Sequence, residues 1–191
     1  MALMIPDSPF YNVTGSLAEI KIFESLKNNL PSDWVVIHSF RWVKKENKIG
    51  GKAQGEGDFI IFHPGHGILV FEVKGGEIHY QNRTWSTIDA LGIEYKIQDP
   101  ERQASDTKFE IIRRLSDEGA QRCLVCHAVW FPDSKIDVKA LPANLDPAIV
   151  LDVNNLASPQ KRIEEVFDYW QCRLGIPKKR LTQTEIRKIT N

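Results

Sequence analysis

Gly55-Glu56-Gly57-Asp58, Phe59-Ile60-Ile61-Phe62-His63, the turn Pro64-Gly65-His66, and Gly67-Ile68-Leu69-Val70-Phe71-Glu72-Val73-Lys74 form the stretch that decides the fold. Two apolar runs around a Gly-containing turn signal a β-hairpin. Buried strands normally exclude Asp, Glu and Lys, because unpaired charge is costly away from water. Here Asp58 opens one run, while Glu72 and Lys74 close the other. With His63 opposite Gly67, the register carries Asp58 to a position across from Glu72. Cross-strand neighbours have Cβ atoms about 4.5–5.5 Å apart. Lys74, two residues beyond Glu72, projects from the same face. A slip of one residue would send Asp58 to the opposite face.

Two carboxylates so placed repel each other unless positive charge lies between them. Mg²⁺ or Mn²⁺ suits that role, since hard cations take oxygen ligands, and the Val73 carbonyl can add a third oxygen. Such a cation activates water and stabilises charge at phosphorus. Lys74 can orient the water or meet the phosphate. The plainer alternative is a cross-strand ion pair on a surface hairpin.

Outward from the hairpin, residues 1–10 hold Pro6 and Pro9 and read as an extended arm. Residues 15–30 carry Leu17, Ile20, Phe23, Leu26 and Leu30 at helical spacing, with Pro31 as the stop. Residues 34–42 predict a strand, with Val35 and Ile37 on one side and Val36, His38 and Phe40 on the other. Residues 44–54 read as an exposed loop. After Gly75-Gly76, residues 77–80 and 84–88 predict a second small hairpin, and residues 94–97 a short strand. Asp99-Pro100 starts a helix that runs to about Glu118. Residues 122–131 and 148–153 predict two further strands. Ser158-Pro159 begins a helix that Gly175 ends. In the tail, Thr182 to Glu185 fits a capping box. A helix begun there would be too short to hold alone, which suggests the N-terminal piece of a longer protein or a frayed tail. The order predicts an α/β (or α+β) fold with a mixed sheet flanked by helices.

The ordered set of residues resembles the PD-(D/E)xK nuclease superfamily and, more narrowly, the nuclease-related (NERD) domain. Glu19 on the early helix, Gly55-Glu56-Gly57-Asp58, the apolar strand ending in Glu72-Val73-Lys74-Gly75, Trp85, Pro100 with Gln103, and Val129-Trp130-Phe131-Pro132 follow in that order over residues 15–132. Gly57 stands where the superfamily's proline would be. The resemblance implies a restriction-endonuclease-like central mixed sheet and a Mg- or Mn-dependent nuclease. It implies Asp58 and Glu72 as metal ligands and Lys74 as the catalytic lysine. Glu19 would be an outer ligand from the helix, and Gln103 an auxiliary group near the scissile phosphate. Glu56 would be a ligand or a loop anchor. The opening Met1 to Pro6 and Phe62-His63-Pro64 look most like members fused to DNA helicases.

The resemblance also implies partners: DNA, with RNA as the second candidate, and a fused or partner helicase. Along the chain it implies an arm at 1–10, the nuclease-like domain at 11–175 and a basic tail or linker at 176–191. The competing reading is a catalytically inactive module that binds nucleic acid or protein.

The 191 residues carry formal net charge zero, 42% hydrophobic and 26% charged residues. That is an ordinary globular composition and not a globally basic nucleic-acid binder. No apolar run spans a bilayer and no secretory signal opens the chain, so a cytoplasmic location is expected. Three cysteines make no disulfide framework. Cys123-Leu124-Val125-Cys126-His127 matches a haem-attachment pattern, but it reads as a buried strand. His63 and His66 read as exposed turn residues. Arg102, Lys108, Arg113 and Arg114 on one helix, and Lys178, Lys179, Arg180, Arg187 and Lys188 in the tail, can track a DNA backbone or simply face solvent.

Overall fold

The hairpin forms in the expected register, with His63 paired to Gly67 and Phe59 to Phe71. The computed structural model describes residues 1–9, 17–43, 54–117, 119, 123–176 and 186. The predicted loop before Gln54, the tail's capping box and its basic cluster lie outside the described residues.

In chain order the elements are β1 (Leu3–Ile5), α1 (Leu17–Asn29), β2 (Val35–Val43), β3 (Gln54–His63), β4 (Gly67–Val73), β5 (Glu77–Gln81), β6 (Thr84–Ile88), β7 (Glu94–Ile97), α2 (Pro100–Asp117), β8 (Leu124–Phe131), β9 (Val150–Asp152) and α3 (Pro159–Leu174). Six strands build one mixed sheet in the order β1-β2-β3-β4-β8-β9. The pairs β2/β3 and β3/β4 are antiparallel, while β1/β2, β4/β8 and β8/β9 are parallel. The opening segment thus contributes an edge strand. The parallel step from β4 to β8 needs a long crossover, and β5 to β7 plus α2 fill it.

β4 is buried at every position, which is why its sequence is apolar on both faces. Phe59, Phe71, Trp130 and Phe131 meet Ile22, Phe23 and Leu26 of α1 and Val166 and Phe167 of α3 on one side of the sheet. Ile60, Phe62, Ile68 and Val70 meet Ile111 and Leu115 of α2 on the other. Each fully buried Phe in such a layer contributes about 1.5–3 kcal/mol relative to an exposed one.

Alternation along β2 breaks at Ser39, whose φ is 64°. Val35, Ile37, Phe40 and Trp42 consequently share the α2 side, whereas strict alternation placed Phe40 with Val36 and His38. The pairing continues across the break, from His38–Phe59 to Phe40–Gly57. β3 therefore changes face together with β2 beside Asp58. At Gly57 a Cβ would lie 2.6 Å from Thr107 Cγ2 of α2. A residue without a side chain lets the helix approach the strand there.

Helix α2 starts as its sequence signals: the Arg102 N–H donates to Asp99 Oδ1 at 3.1 Å, and Pro100 opens the helix. Helix α3 starts at Pro159 after Ser158, but the Ser158 hydroxyl makes no capping bond. Its end at Gly175, with φ 63°, is the expected left-handed stop. The strand predicted over residues 148–153 is shorter, because the Asp146 and Asp152 carboxylates take the Ala148 and Asn154 N–H groups into short 3₁₀ turns. Among the described residues no helix is long and apolar enough to cross a membrane.

The Cys-x-x-Cys-His segment is interior strand, as expected. Cys123 and Cys126 are buried, and burial pushes the Cys126 thiol well above its ordinary pKa. His127 Nε2 lies 2.9 Å from Glu101 Oε1 of α2. Burial, helped by the Lys108 charge, holds His127 below its ordinary pKa against the pull of Glu101. The His127 hydrogen bond in turn lowers the Glu101 pKa. The unfolded chain therefore binds a proton at His127 that the folded chain refuses, and stability falls as pH drops through about 6.5. The depressed Glu101 adds a loss at lower pH, as pH falls through its folded pKa. Urea midpoints are expected to decrease from pH 7.5 to 5.5, and His127→Gln is expected to flatten that decrease.

Candidate active site

Asp58 sits where β3 changes face, and Glu72 and Lys74 sit where β4 leaves the sheet. The backbone ladder between the strands ends at Phe59–Phe71. One step further, the Val73 N–H donates to Asp58 Oδ2 at 2.7 Å. Val73 thus meets Asp58 through its N–H. Lys74 Nζ donates to Glu72 Oε1 at 2.6 Å, and the Lys74 N–H holds the Trp130 carbonyl of β8 at 3.1 Å. The strand end is therefore pinned on both sides. Asp58, Glu72, Lys74 and Gln103 line a single cavity of about 320 Å³. Asp58 and Glu72 do not face opposite sides of the sheet.

Glu19 approaches from α1 but is not among the residues lining this cavity. Its Oε2 is 2.9 Å from Nε2 of His38, a buried side chain on the α1 side of β2. It remains near enough for its charge to act on Asp58. His38 itself stacks on Phe59 at 4.7 Å. Sequence reasoning had no signal for the Glu19–His38 pair, since it joins a helix to a strand across the core. Asp106 and Gln98 also line the cavity. Asp106 was accessible from helical spacing, three residues after Gln103 on α2; Gln98 carried no pattern. Glu56 lines the cavity as well, and its carboxylate accepts from the Ser39 hydroxyl and faces Arg41 at 3.6 Å.

The electrostatics of the cavity are one-sided. Among the described residues that line it, Glu56, Asp58, Glu72 and Asp106 stand against one basic side chain, that of Lys74. Burial raises the Asp58 pKa well above the usual carboxylate value. The Glu72 charge adds to this, and Lys74 and the Val73 N–H offset only part of it. Ionised Asp58 thus costs folding free energy, increasingly as pH rises above about 4. Asp58→Asn, which keeps an acceptor for Val73, is expected to raise the thermal midpoint in chelator-containing buffer. The gain should widen from pH 4.5 to 7.5; a lower midpoint would contradict this account of the site.

Oxygen donors short of positive charge suit a hard divalent cation. Among the described residues no group of three or more His, Cys, Asp or Glu side chains is placed to hold a metal. Asp58 and Glu72 offer two carboxylates. That matches Mg²⁺, which keeps several waters and uses one or two carboxylates plus substrate phosphates. It does not match a closed zinc site.

Two surface expectations change. His63 and His66 are not exposed turn residues. His63 Nδ1 accepts the Gly65 and His66 N–H groups at 2.9 and 3.1 Å, and both rings pack against Phe167 of α3. Nor do the α2 cations form one free basic face. Arg113 and Arg114 bond buried Glu110 at 2.7 and 3.1 Å, and Lys108 lies over the Trp170 ring. Trp42 and Trp85 are buried, and the Trp42 indole N–H donates to Thr107 Oγ1 at 3.1 Å.

The family model described as nuclease-related domain matches residues 14–132. The chain belongs to the nuclease-related domain family. No curated protein and no solved structure matches it. The nuclease-related match runs from before α1 to the end of β8, so it includes Glu19, Asp58, Glu72, Lys74 and Gln103. β9 and α3 lie beyond it. Membership in the nuclease-related family suggests a nuclease-type activity and a nucleic-acid substrate.

Proposed function

We propose that this domain hydrolyses phosphodiester bonds in DNA with the help of Mg²⁺ or Mn²⁺. The observation that carries the reading is the placement of Asp58, Glu72 and Lys74 in one cavity at the end of the hairpin. Asp58 and Glu72 would hold the cation, which supplies positive charge to the phosphate and acidifies water when bound. The Val73 N–H keeps the Asp58 carboxylate aimed into the cavity. Lys74, held by Glu72, presents N–H donors to the attacking water or to charge that develops on the phosphate oxygens. The Gln103 amide, from α2, lines the same cavity and can hold the same water or a phosphate oxygen. In the reaction a water oxygen bonds to phosphorus and gives up a proton to solvent, the ester P–O bond opposite it breaks, and the departing oxygen takes up a proton from solvent.

A second reading, a nucleic-acid-binding module without cleavage, draws on Glu19, whose carboxylate is held by His38 rather than placed in the cavity lining. Incubation with labelled single- and double-stranded DNA and Mg²⁺ or Mn²⁺, beside Lys74→Ala and Asp58→Ala, separates the two. Product from the wild type alone supports hydrolysis at this site. Equal product from all three proteins removes the site. Binding without product selects the second reading.

A further inference from the structure

A second cleft, of about 490 Å³, adjoins the Asp58 cavity and shares Gln98 and Gln103 with it as a common wall. It lies between the three-stranded sheet β5-β6-β7 and the first turn of α2. Its charge is opposite to that of its neighbour. Arg83 from the β5–β6 turn, Lys96 from β7 and Arg102 from α2 line it, against the single carboxylate of Asp99. The Asp99 carboxylate is already engaged with the Arg102 backbone N–H. The three cations are exposed, and none makes an ion pair among the described residues. They come from separate elements, so the fold and not a run of basic sequence brings them together. At the base of the cleft Trp85 is 5% exposed, with Tyr80 at 4.9 Å. The Trp85 indole N–H and Gln103 Oε1 are both buried and lack a hydrogen-bond partner. Buried donors and acceptors seldom stay unsatisfied, so water or a ligand in the cleft is needed to complete both.

We infer that this cleft binds the phosphodiester backbone of the nucleic-acid strand adjoining the phosphate in the Asp58 cavity. A polyanion is the ligand that fits both halves: fixed cations hold its backbone in one, while acids and a cation act on it in the other. Arg83, Lys96 and Arg102 take phosphate oxygens, and the Trp85 N–H and Gln103 carbonyl meet polar atoms of the nucleotide between them. The small sheet, which adds nothing to the central strand order, thus acquires a role as the wall that presents Arg83 and Lys96. The inference rests on the nuclease reading for the neighbouring cavity, but its test does not depend on cleavage.

Binding of a labelled single-stranded oligonucleotide and a labelled duplex is measured by fluorescence anisotropy in EDTA over a range of salt concentrations. The wild type is compared with the Arg83→Ala/Lys96→Ala/Arg102→Ala triple variant. A charge-matched control carries Lys135→Ala, Lys139→Ala and Lys161→Ala, all at exposed positions away from the cleft. The cleft variant is expected to bind about tenfold or more weakly near 100 mM salt, with the slope of log K against log salt reduced by about 2. The control is expected to match the wild type. Equal affinity and slope for wild type and cleft variant overturn the inference and leave the nuclease reading to the cleavage assay. Equal losses in the cleft variant and the control overturn it too, because net charge alone would explain them. Failure of the wild type to bind either probe also overturns it.

Discussion

Lys74→Ala is expected to slow DNA cleavage by about 10²–10³-fold, the usual cost of removing one preorganised donor from a site where charge develops. The physical reason is the charge balance of the cavity, where Lys74 is the one basic residue among the described lining residues, against Glu56, Asp58, Glu72 and Asp106. On the proposed mechanism, its removal would leave the substrate phosphate facing carboxylates with only the proposed divalent cation to offset them. Lys74→Ala also takes a 2.6 Å partner from buried Glu72, so part of any loss could come from a disturbed strand end. Lys74→Arg keeps the charge and controls for this. It should retain the melting temperature of the wild type and recover only part of the rate, because a planar guanidinium cannot reproduce the ammonium geometry. Single-turnover kinetics with labelled duplex separates the rate loss from a binding loss. An unchanged rate in Lys74→Ala removes Lys74 from the mechanism.

Gly67→Ala is expected to destabilise the domain by about 3 kcal/mol or more, the range of strained-backbone and overpacking mutations. Gly67 starts β4 with φ 131°, a conformation that side-chain-bearing residues rarely adopt. A Cβ there would lie 2.2 Å from the Leu124 carbonyl oxygen and 3.1 Å from its carbon. These are backbone atoms of β8, paired with β4 from Gly67–Leu124 to Val73–Trp130, so they cannot swing aside as a flexible side chain could. The clash falls where the antiparallel hairpin meets the parallel crossover, and relief requires moving one strand against the other. Gly65→Ala, two residues away, is the control. Its Cβ would meet only the His63 ring at 3.5 Å, and the change is expected to stay within about 0.5 kcal/mol. Urea unfolding of both variants tests the pair. A Gly67→Ala variant as stable as the wild type would show that the β4–β8 contact yields more readily than its geometry indicates.

The hairpin was legible because its signals are local and agree with one another. A three-residue turn sets the register, and the period of a strand carries it to the charged ends. The helix starts at Asp99-Pro100 and Ser158-Pro159 were legible for the same reason, although only Asp99 uses its side chain as a cap. Phe40 was misplaced because alternation assumes an unbroken strand, and Ser39 breaks it with a left-handed backbone that a serine seldom adopts. His63 and His66 looked exposed because turn residues usually are. Helix α3, about a hundred residues later, covers them.

The chain's own pattern was enough to place Asp58, Glu72 and Lys74 on one face, since period-two geometry and a short turn involve only neighbouring residues. It was enough, too, to point to a nuclease-related family. The position of Glu19 against His38, the burial that raises the Asp58 pKa, and the meeting of Arg83, Lys96 and Arg102 beside Gln103 came from the assembled fold. Each depends on elements far apart in sequence packing against the same sheet. The electrostatics of a carboxylate depend on every charge and dipole around it, and the order of residues along the chain does not state those distances.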